Sequence, residues 1–296
     1  MTLGQLYESG RKKLEEAGVP DAALDARFLL LEAFDLNFAS FLTRRDCPLL
    51  KQDGGEKSEI HRLKQAAQRY ETAILARAER IPLQHLTGYQ CFMGLEFKVN
   101  ECVLIPRQDT ETLVECVLEE NTDKNSAILD VCTGSGCIAI SLARLGGYHS
   151  VTGLDISEEA LKVAQANREM VLGEEKERLR LIKSDMFKGL EPKEQFDVIV
   201  SNPPYIPSEV IEGLEPEVRD HEPRLALDGE ADGLKFYRIL AECSMAYLKP
   251  GGRVYMEIGF DQGKDVLELF ERAGFSGLKV IKDMAGLDRV VQAERP

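Results

Sequence analysis

At 296 residues, 44% of them hydrophobic and 30% charged, the chain has the composition of a globular protein with one large domain, or a large and a small one. The whole formal charge of −14 falls in residues 81–296, with 24 Lys and Arg against 38 Asp and Glu, so no duplex-binding surface and no direct nucleic-acid contact are expected. Seven cysteines without a CxxC pair and four scattered histidines argue against a zinc site, and charges in the first residues with no long apolar run argue against export or a membrane span; the expected setting is the reducing cytoplasm, with no metal.

Residues 1–80 read as a helical domain. In LGQLYESGRKKLEEAG the apolar positions Leu3, Leu6, Gly10, Leu14 and Ala17 recur at helical spacing, and Gly18 with Pro20 ends the pattern. ALDARFLLLEAF sets Leu24, Phe28, Leu31 and Phe34 on one stripe. A third helix, SEIHRLKQAAQRYETAILARAER, follows a polar turn at Asp53-Gly54-Gly55. From Ile81 to 108 the period shortens, and YQCFMGLEFKVNECVLIP reads as a β-hairpin connector broken at Gly94 and Asn100.

Residues 109–296 alternate strand and helix. AILDVC, HSVTGLDI, RLRLIKSDMF, FDVIVSN and RVYMEIGF are strand candidates, and CIAISLARL, SEEALKVAQANREMVLG, LKFYRILAECSMAYLKPGG and KDVLELFERAGF are helical. This alternation predicts an α/β fold, a mostly parallel sheet with helices on both faces. The final pair, LKVIKD and DRVVQAE, is separated by a short turn and is expected antiparallel at an edge.

Ligands of such sheets bind at the carboxyl ends of strands, and four ends carry unusual chemistry. In ILDVCTGSGCIAI, Gly134 and Gly136 allow close backbone approach and a tight turn, without a G-x-G-x-x-G pattern or a P-loop lysine. Asp155 ends the next strand; its carboxylate suits a pair of ribose hydroxyls, the alternative being a helix-capping role beside Ser157. In Ser184-Asp185-Met186-Phe187, Asp185 is a candidate acceptor for an adenine amino group, with Met186 or Phe187 packing on the ring. Together these ends describe a nucleoside cofactor without a phosphate loop, which S-adenosylmethionine fits better than a dinucleotide.

The fourth end is Asn202-Pro203-Pro204-Tyr205. The prolines fix their φ and bring no N–H, so the loop can turn oxygens into a pocket with few competing donors. A planar –NH2 group could give one hydrogen to Asn202 Oδ1 and the other to a backbone carbonyl, that of Pro203 first, with Tyr205 over its flat face. An amide or aromatic amine so held is expected to present its nitrogen lone pair to a methyl donor without a general base. The alternative is a loop that merely ends a strand.

With these motifs in place, the chain resembles the release-factor glutamine methyltransferase family of class I S-adenosylmethionine-dependent methyltransferases. The likeness runs through PLQHLTG, IPR, ILDVCTGSGCIAISLA, LDIS, SNPPYIP, HEPRLALDGEADGLKFYR, EIG and AGLDRVV. It implies a seven-stranded sheet behind the helical domain. It implies methylation of the glutamine side-chain amide in the Gly-Gly-Gln motif of class I peptide release factors. Cys132, Thr133, Gly134, Ser135, Gly136, Asp155, Met186 and Asn202 would touch the cofactor. Asn202, Pro203, Pro204, Tyr205 and Arg107 would touch the glutamine, and the N-terminal helices would help to recognise the release factor. Three departures from the family pattern stand out: Cys132 stands where Gly is usual, Gln108-Asp109 replaces Pro-Glu, and Met186 stands where Trp is frequent. Methylation of a nucleic-acid adenine or of a ribosomal-protein glutamine, and a non-catalytic adaptor, remain alternatives at this point.

Overall fold

The computed structural model describes residues 1–49 and 57–296, so the expected turn at Asp53-Gly54-Gly55 lies outside the described residues. The chain forms two compact units, Met1–Gly88 with Pro216–His221, and Tyr89–Glu215 with Glu222–Pro296.

The first unit contains α1 (Leu3–Glu16), α2 (Ala22–Phe34), α3 (Phe38–Arg44), α4 (Lys57–Ala78) and the short α5 (Leu83–Thr87). Thr2 starts α1 with a reciprocal capping box, its hydroxyl accepting from the Gln5 amide while Gln5 Oε1 accepts from the Thr2 amide. Leu3, Leu6, Gly10 and Leu14 are buried on the expected face. On α2 the buried face is Ala22, Asp25, Ala26, Leu29, Leu30 and Ala33, whereas Leu24 and Phe28 are exposed. Leu31 and Phe34 of the expected stripe do pack, part-buried, against this core; the helix is apolar almost all round, so spacing alone misplaces the other half of the stripe. The α3 helix, capped by the Asn37 side chain on the Ser40 amide, is additional to the three helices read from the sequence. A charge network closes this unit: buried Arg77 of α4 bonds Asp25 of α2 at 2.7 Å and Glu217 at 2.7 Å, and Arg80 Nη2 reaches Glu217 at 2.6 Å.

The second unit opens with an antiparallel hairpin, β1 (Tyr89–Phe92) and β2 (Leu95–Lys98), and continues through α6 (Glu111–Glu120), β3 (Ala127–Val131), α7 (Cys137–Ser141), β4 (Ser150–Asp155), α8 (Glu158–Leu172), β5 (Leu179–Lys183), β6 (Phe196–Ser201), α9 (Ser208–Ile211), α10 (Pro216–Arg219, packed with the first unit), α11 (Lys235–Tyr247), β7 (Leu248–Glu257), α12 (Gly263–Arg272), β8 (Ser276–Lys282) and β9 (Asp288–Glu294). The seven strands from β3 onward form one sheet in the order β5-β4-β3-β6-β7-β9-β8. Neighbours from β5 to β7 pair in parallel, and β9 runs antiparallel to both β7 and β8. The final hairpin is therefore antiparallel with β8 at the edge, as its short turn predicts.

Strands buried on both faces read as continuous apolar runs, and β3, β4 and β6 are almost wholly buried. The chain order reverses between β3 and β6, so the crevice at their carboxyl ends is the topological switch point. No helix among the described residues is long and apolar enough to cross a membrane, and among them no group of three or more His, Cys, Asp or Glu could hold a metal ion.

Candidate active site

The switch point opens into a cavity of about 630 Å³ lined by loops from all four singled-out strand ends. Cys132, Thr133, Gly134, Ser135, Asp155, Asp185, Met186, Phe187, Asn202, Pro204 and Arg107 line it, while Gly136, Pro203 and Tyr205 are not among its lining residues.

Beyond β3 the backbone turns through positive φ at Cys132 (65°), Gly134 (55°) and Gly136 (80°). The turn is fixed by Thr133, whose amide donates to the Leu154 carbonyl at 2.8 Å and whose hydroxyl donates to Asp130 Oδ2 at 2.5 Å. A Cβ at Gly134 would meet nothing within 4 Å, so the loop presents bare backbone to open cavity. The buried Asn167 of α8 holds this loop from behind, donating to the Ser135 carbonyl at 2.9 Å and bonding both backbone groups of Lys98 in the hairpin.

Asp155 combines both readings of its position. Its Oδ1 accepts from the Ser157 amide at 2.9 Å and its Oδ2 from the Gly134 amide at 2.8 Å, while Ser157 itself caps α8. Each carboxylate oxygen keeps further acceptor capacity for a cavity ligand. Burial raises the Asp155 pKa, against the opposing hydrogen bonds from Ser157, Gly134 and Ile156.

At the third end, Asp185 is ion-paired to Lys188 at 2.5 Å. Met186 adopts a positive φ of 49°, and its sulfur lies 3.8 Å from Cys132 Sγ. Phe187 stacks on Tyr247, with ring centroids 5.2 Å apart. The walls fit an adenosine-like group: backbone approach at Gly134, an acceptor for a vicinal diol at Asp155, and apolar surface at Ile156, Met186 and Phe187.

At the fourth end, Asn202 Nδ2 donates to Thr110 Oγ1 at 3.2 Å, which leaves Oδ1 as the free acceptor of that amide. Tyr205 instead turns its hydroxyl to Glu257 Oε1 at 3.2 Å, and its carbonyl accepts from Gln262 Nε2 at 3.0 Å. Burial, with Glu257 alongside, pushes the Tyr205 pKa far above the ordinary phenol range. Arg107 lines the cavity but is engaged, its Nη2 contacting both oxygens of buried Glu222 at 2.7 and 2.8 Å. Burial raises the Glu222 pKa, and Arg107 opposes that rise.

Thr110, Glu222, Glu257, Asn167 and Arg289 were not singled out from the sequence. Arg107, Glu222, Glu257 and Arg289 lie in segments that carry the family likeness, but their contacts join residues far apart in the chain. The departure at Asp109 acquires a partner here, Arg289 Nη2 at 3.1 Å.

Comparison with known proteins adds to this geometry. A family described as methyltransferase small domain matches residues 108–213, and one described as PrmC N-terminal domain matches residues 5–88. A release factor glutamine methyltransferase of Geobacter sulfurreducens is 40% identical over 98% of this chain and 95% of its own length. One from Moorella thermoacetica is 42% identical over 100% of this chain and 99% of its own length. Among solved structures, a methyltransferase from Pyrococcus furiosus superposes with a TM-score of 0.50 at 21% identity, covering 69% of this chain and 90% of that one, which shows the shared fold.

Proposed function

This chain belongs to the release factor glutamine methyltransferase family, and from that premise we propose that it moves a methyl group from S-adenosylmethionine to the side-chain amide nitrogen of the Gly-Gly-Gln glutamine of class I peptide release factors. The chain is a methyltransferase acting on release-factor glutamine; the reacting atom, the sequence motif and the residue roles are the proposed part. One observation carries the reading: Thr110 engages Asn202 Nδ2, so Asn202 Oδ1 is available to a donor in the cavity.

S-adenosylmethionine supplies a methyl group made electrophilic by a sulfonium. Asp155 would hold its ribose hydroxyls, Thr133 to Ser135 would lie along its edge, and Met186 and Phe187 would flank its base. Asn202 Oδ1 accepts one hydrogen of the substrate amide. The second acceptor is a backbone carbonyl of the same loop, that of Pro203 as the expected one although this residue does not line the cavity, and Pro204 walls the pocket. An amide nitrogen is weakly nucleophilic because its lone pair is shared with the carbonyl. Fixing both hydrogens turns that lone pair out of conjugation, and the acceptors bind more strongly as positive charge grows on nitrogen. Tyr205 contributes from behind the loop, through Glu257, rather than as a ring over the substrate. Arg107, tied to Glu222, contributes a fixed positive edge.

Recognition of the release factor is assigned to the helical unit, where exposed Leu24, Phe28, Phe38 and Leu42 offer apolar contact. The excess of acidic residues in 81–296 supports a protein rather than a nucleic-acid substrate. Seven free cysteines suit the cytoplasm.

The test is methyl transfer from labelled S-adenosylmethionine to purified release factor, to the same factor with its Gly-Gly-Gln glutamine replaced, to ribosomal protein and to adenine-containing DNA, with mass spectrometry locating the label. Label on that glutamine alone is expected. Label on DNA or another protein would overturn the substrate, and tight cofactor binding without any transfer would point to an adaptor.

A further inference from the structure

Asn167 of α8 is fully buried and stands outside the cavity wall, yet its side-chain amide joins a backbone segment that lines the cavity to one that leads into it. Its Oδ1 accepts from the Lys98 amide at 2.7 Å. Its Nδ2 donates to the Lys98 carbonyl at 3.0 Å and to the Ser135 carbonyl at 2.9 Å. A backbone N–H only donates and a carbonyl only accepts, so these three bonds define which end of the Asn167 amide is oxygen. Ser135 lies in the glycine loop and lines the cavity. Lys98 ends β2, and the connector segment after it supplies Cys102, Val103, Leu104, Pro106 and Arg107 to the cavity.

Both segments also pack on α8. A Cβ at Gly136 would stand 3.2 Å from Ala164 Cβ, so the glycine loop approaches the helix closely. On the connector side, Val99 and Val103 cluster with Ala160 and Val163. Apolar contact is non-directional, so it holds the two segments to the helix without fixing their register. The Asn167 bonds supply the direction. Ser135 precedes Gly136, the N-cap of α7, whose carbonyl accepts from the Ile140 amide at 2.9 Å, so the Ser135 carbonyl lies outside the helix ladder. Bonding that carbonyl to Nδ2 fixes the plane of the Ser135–Gly136 peptide.

We propose that Asn167 is a positioning residue for S-adenosylmethionine binding: its amide locks the glycine loop and the connector into one register and so sets the width of the cavity between them. Without it, one buried N–H and two buried carbonyls lose their partner, and the two walls can shift independently. The proposal rests on the reading that the cofactor occupies this cavity.

The experiment uses the full chain. Calorimetry measures S-adenosylmethionine affinity, thermal unfolding measures stability, and turnover is followed on purified release factor. Asn167→Ala should raise the cofactor dissociation constant about 30-fold, with kcat at saturating cofactor within about threefold of wild type. Asn167→Asp keeps the acceptor for the Lys98 amide but sets a carboxyl where two carbonyls need donors, so it should bind no better than Asn167→Ala. Leu172→Ala makes a cavity in the core from a buried site on the same helix, off the cavity wall. It should lower the unfolding temperature and leave cofactor affinity within about twofold, a split that a merely structural Asn167 would not show.

Hydrogen exchange on the wild type reads the coupling directly. An amide that opens only when the register is lost is protected by a ligand that needs the register. S-adenosylhomocysteine should therefore slow exchange at the Lys98 amide along with the Gly136 amide, although Lys98 does not line the cavity. Wild-type affinity in Asn167→Ala or Asn167→Asp, an equal affinity loss in Leu172→Ala, or Lys98 exchange untouched by S-adenosylhomocysteine would overturn the role. If the Asn167 variants fail to fold, the wild-type exchange result decides alone. A wild type that binds neither S-adenosylmethionine nor its product overturns the cofactor reading, a result distinct from a variant that binds as well as the wild type.

Discussion

The Gly134 amide donates to Asp155 Oδ2 at 2.8 Å, so the carboxylate ending β4 also ties down the glycine loop that follows β3. Asp155→Ala would strand two partly buried donors, Gly134 N–H and Ser157 N–H, and remove the acceptor for a ribose diol. Cofactor affinity should fall about 100-fold and stability by about 2 kcal/mol. Asp155→Asn, which retains one carbonyl oxygen, should lose less of both. Calorimetric titration and urea unfolding read the two effects separately. Unchanged cofactor affinity in Asp155→Ala would leave only the capping role.

Asn202→Ala removes the free Oδ1 acceptor from the cavity wall while leaving the glycine loop and Asp155 in place. The acceptor matters most once positive charge develops on the reacting nitrogen, so kcat should fall by about 10²–10³. Cofactor affinity should stay within about threefold, since its main contacts lie on other strands. Steady-state kinetics beside cofactor titration checks this split, and equal losses in both would rule out the acceptor role.

Asp130 gives the catalytic unit a pH dependence of defined sign. It is fully buried on β3, accepts from the Thr133 hydroxyl, and is pushed up by burial to about 7, with Thr133 and the Ala139 backbone opposing and Asp155 adding. Its pKa is thus higher folded than unfolded. Between about pH 4 and 7 the native state holds a proton that the unfolded chain has released, so its stabilising contribution is complete below that interval and is lost as pH rises through it. Glu257, raised to about 7, acts in the same direction. Glu217, lowered to about 2 by Arg80 and Arg77 against its own burial cost, contributes stability that fades only as pH falls below about 4.5. Thermal unfolding of the wild type should therefore shift to lower temperature from about pH 5 to about pH 8, and Asp130→Asn should flatten that decline. Identical pH profiles for the two proteins would contradict the assignment.

The sheet was legible because β3, β4 and β6 are short β-branched runs bounded by turn residues, a pattern set by burial on both faces. The strand ends carrying Asp155, Asp185 and Asn202 were legible because ligands of this architecture meet the carboxyl edge. Periodicity half failed on α2, where Leu24 and Phe28 compete with Ala26 and Leu30 for the core and small residues win the crowded side. It also gave no sign that residues 216–221, between two loops of the catalytic unit, pack with the helical unit, where Glu217 meets Arg77 and Arg80. Thr110 was illegible for a related reason. Its partner Asn202 is 92 residues away, and only the pairing of β3 with β6 and the turn into α6 bring the two together.

Cys132 offers a test of backbone strain, because it holds a φ of 65° in a loop whose other turns of this kind are made by glycines. A side chain in the left-handed region costs about 1–2 kcal/mol. Cys132→Gly removes that cost, but it enlarges the unfolded ensemble by about 0.4–1 kcal/mol and gives up the packing of Sγ on Met186. The opposing contributions leave the glycine variant within about 1 kcal/mol of the wild type. Cys132→Val keeps a part-buried apolar side chain but is β-branched, a genuine outlier at positive φ, and should cost about 2–3 kcal/mol. Urea unfolding of the three proteins separates strain from packing. If packing on Met186 dominated, valine would be the milder change and glycine the damaging one; a relaxed or tolerated glycine with a damaging valine is the signature of a position whose backbone geometry, not its thiol, is what the loop requires.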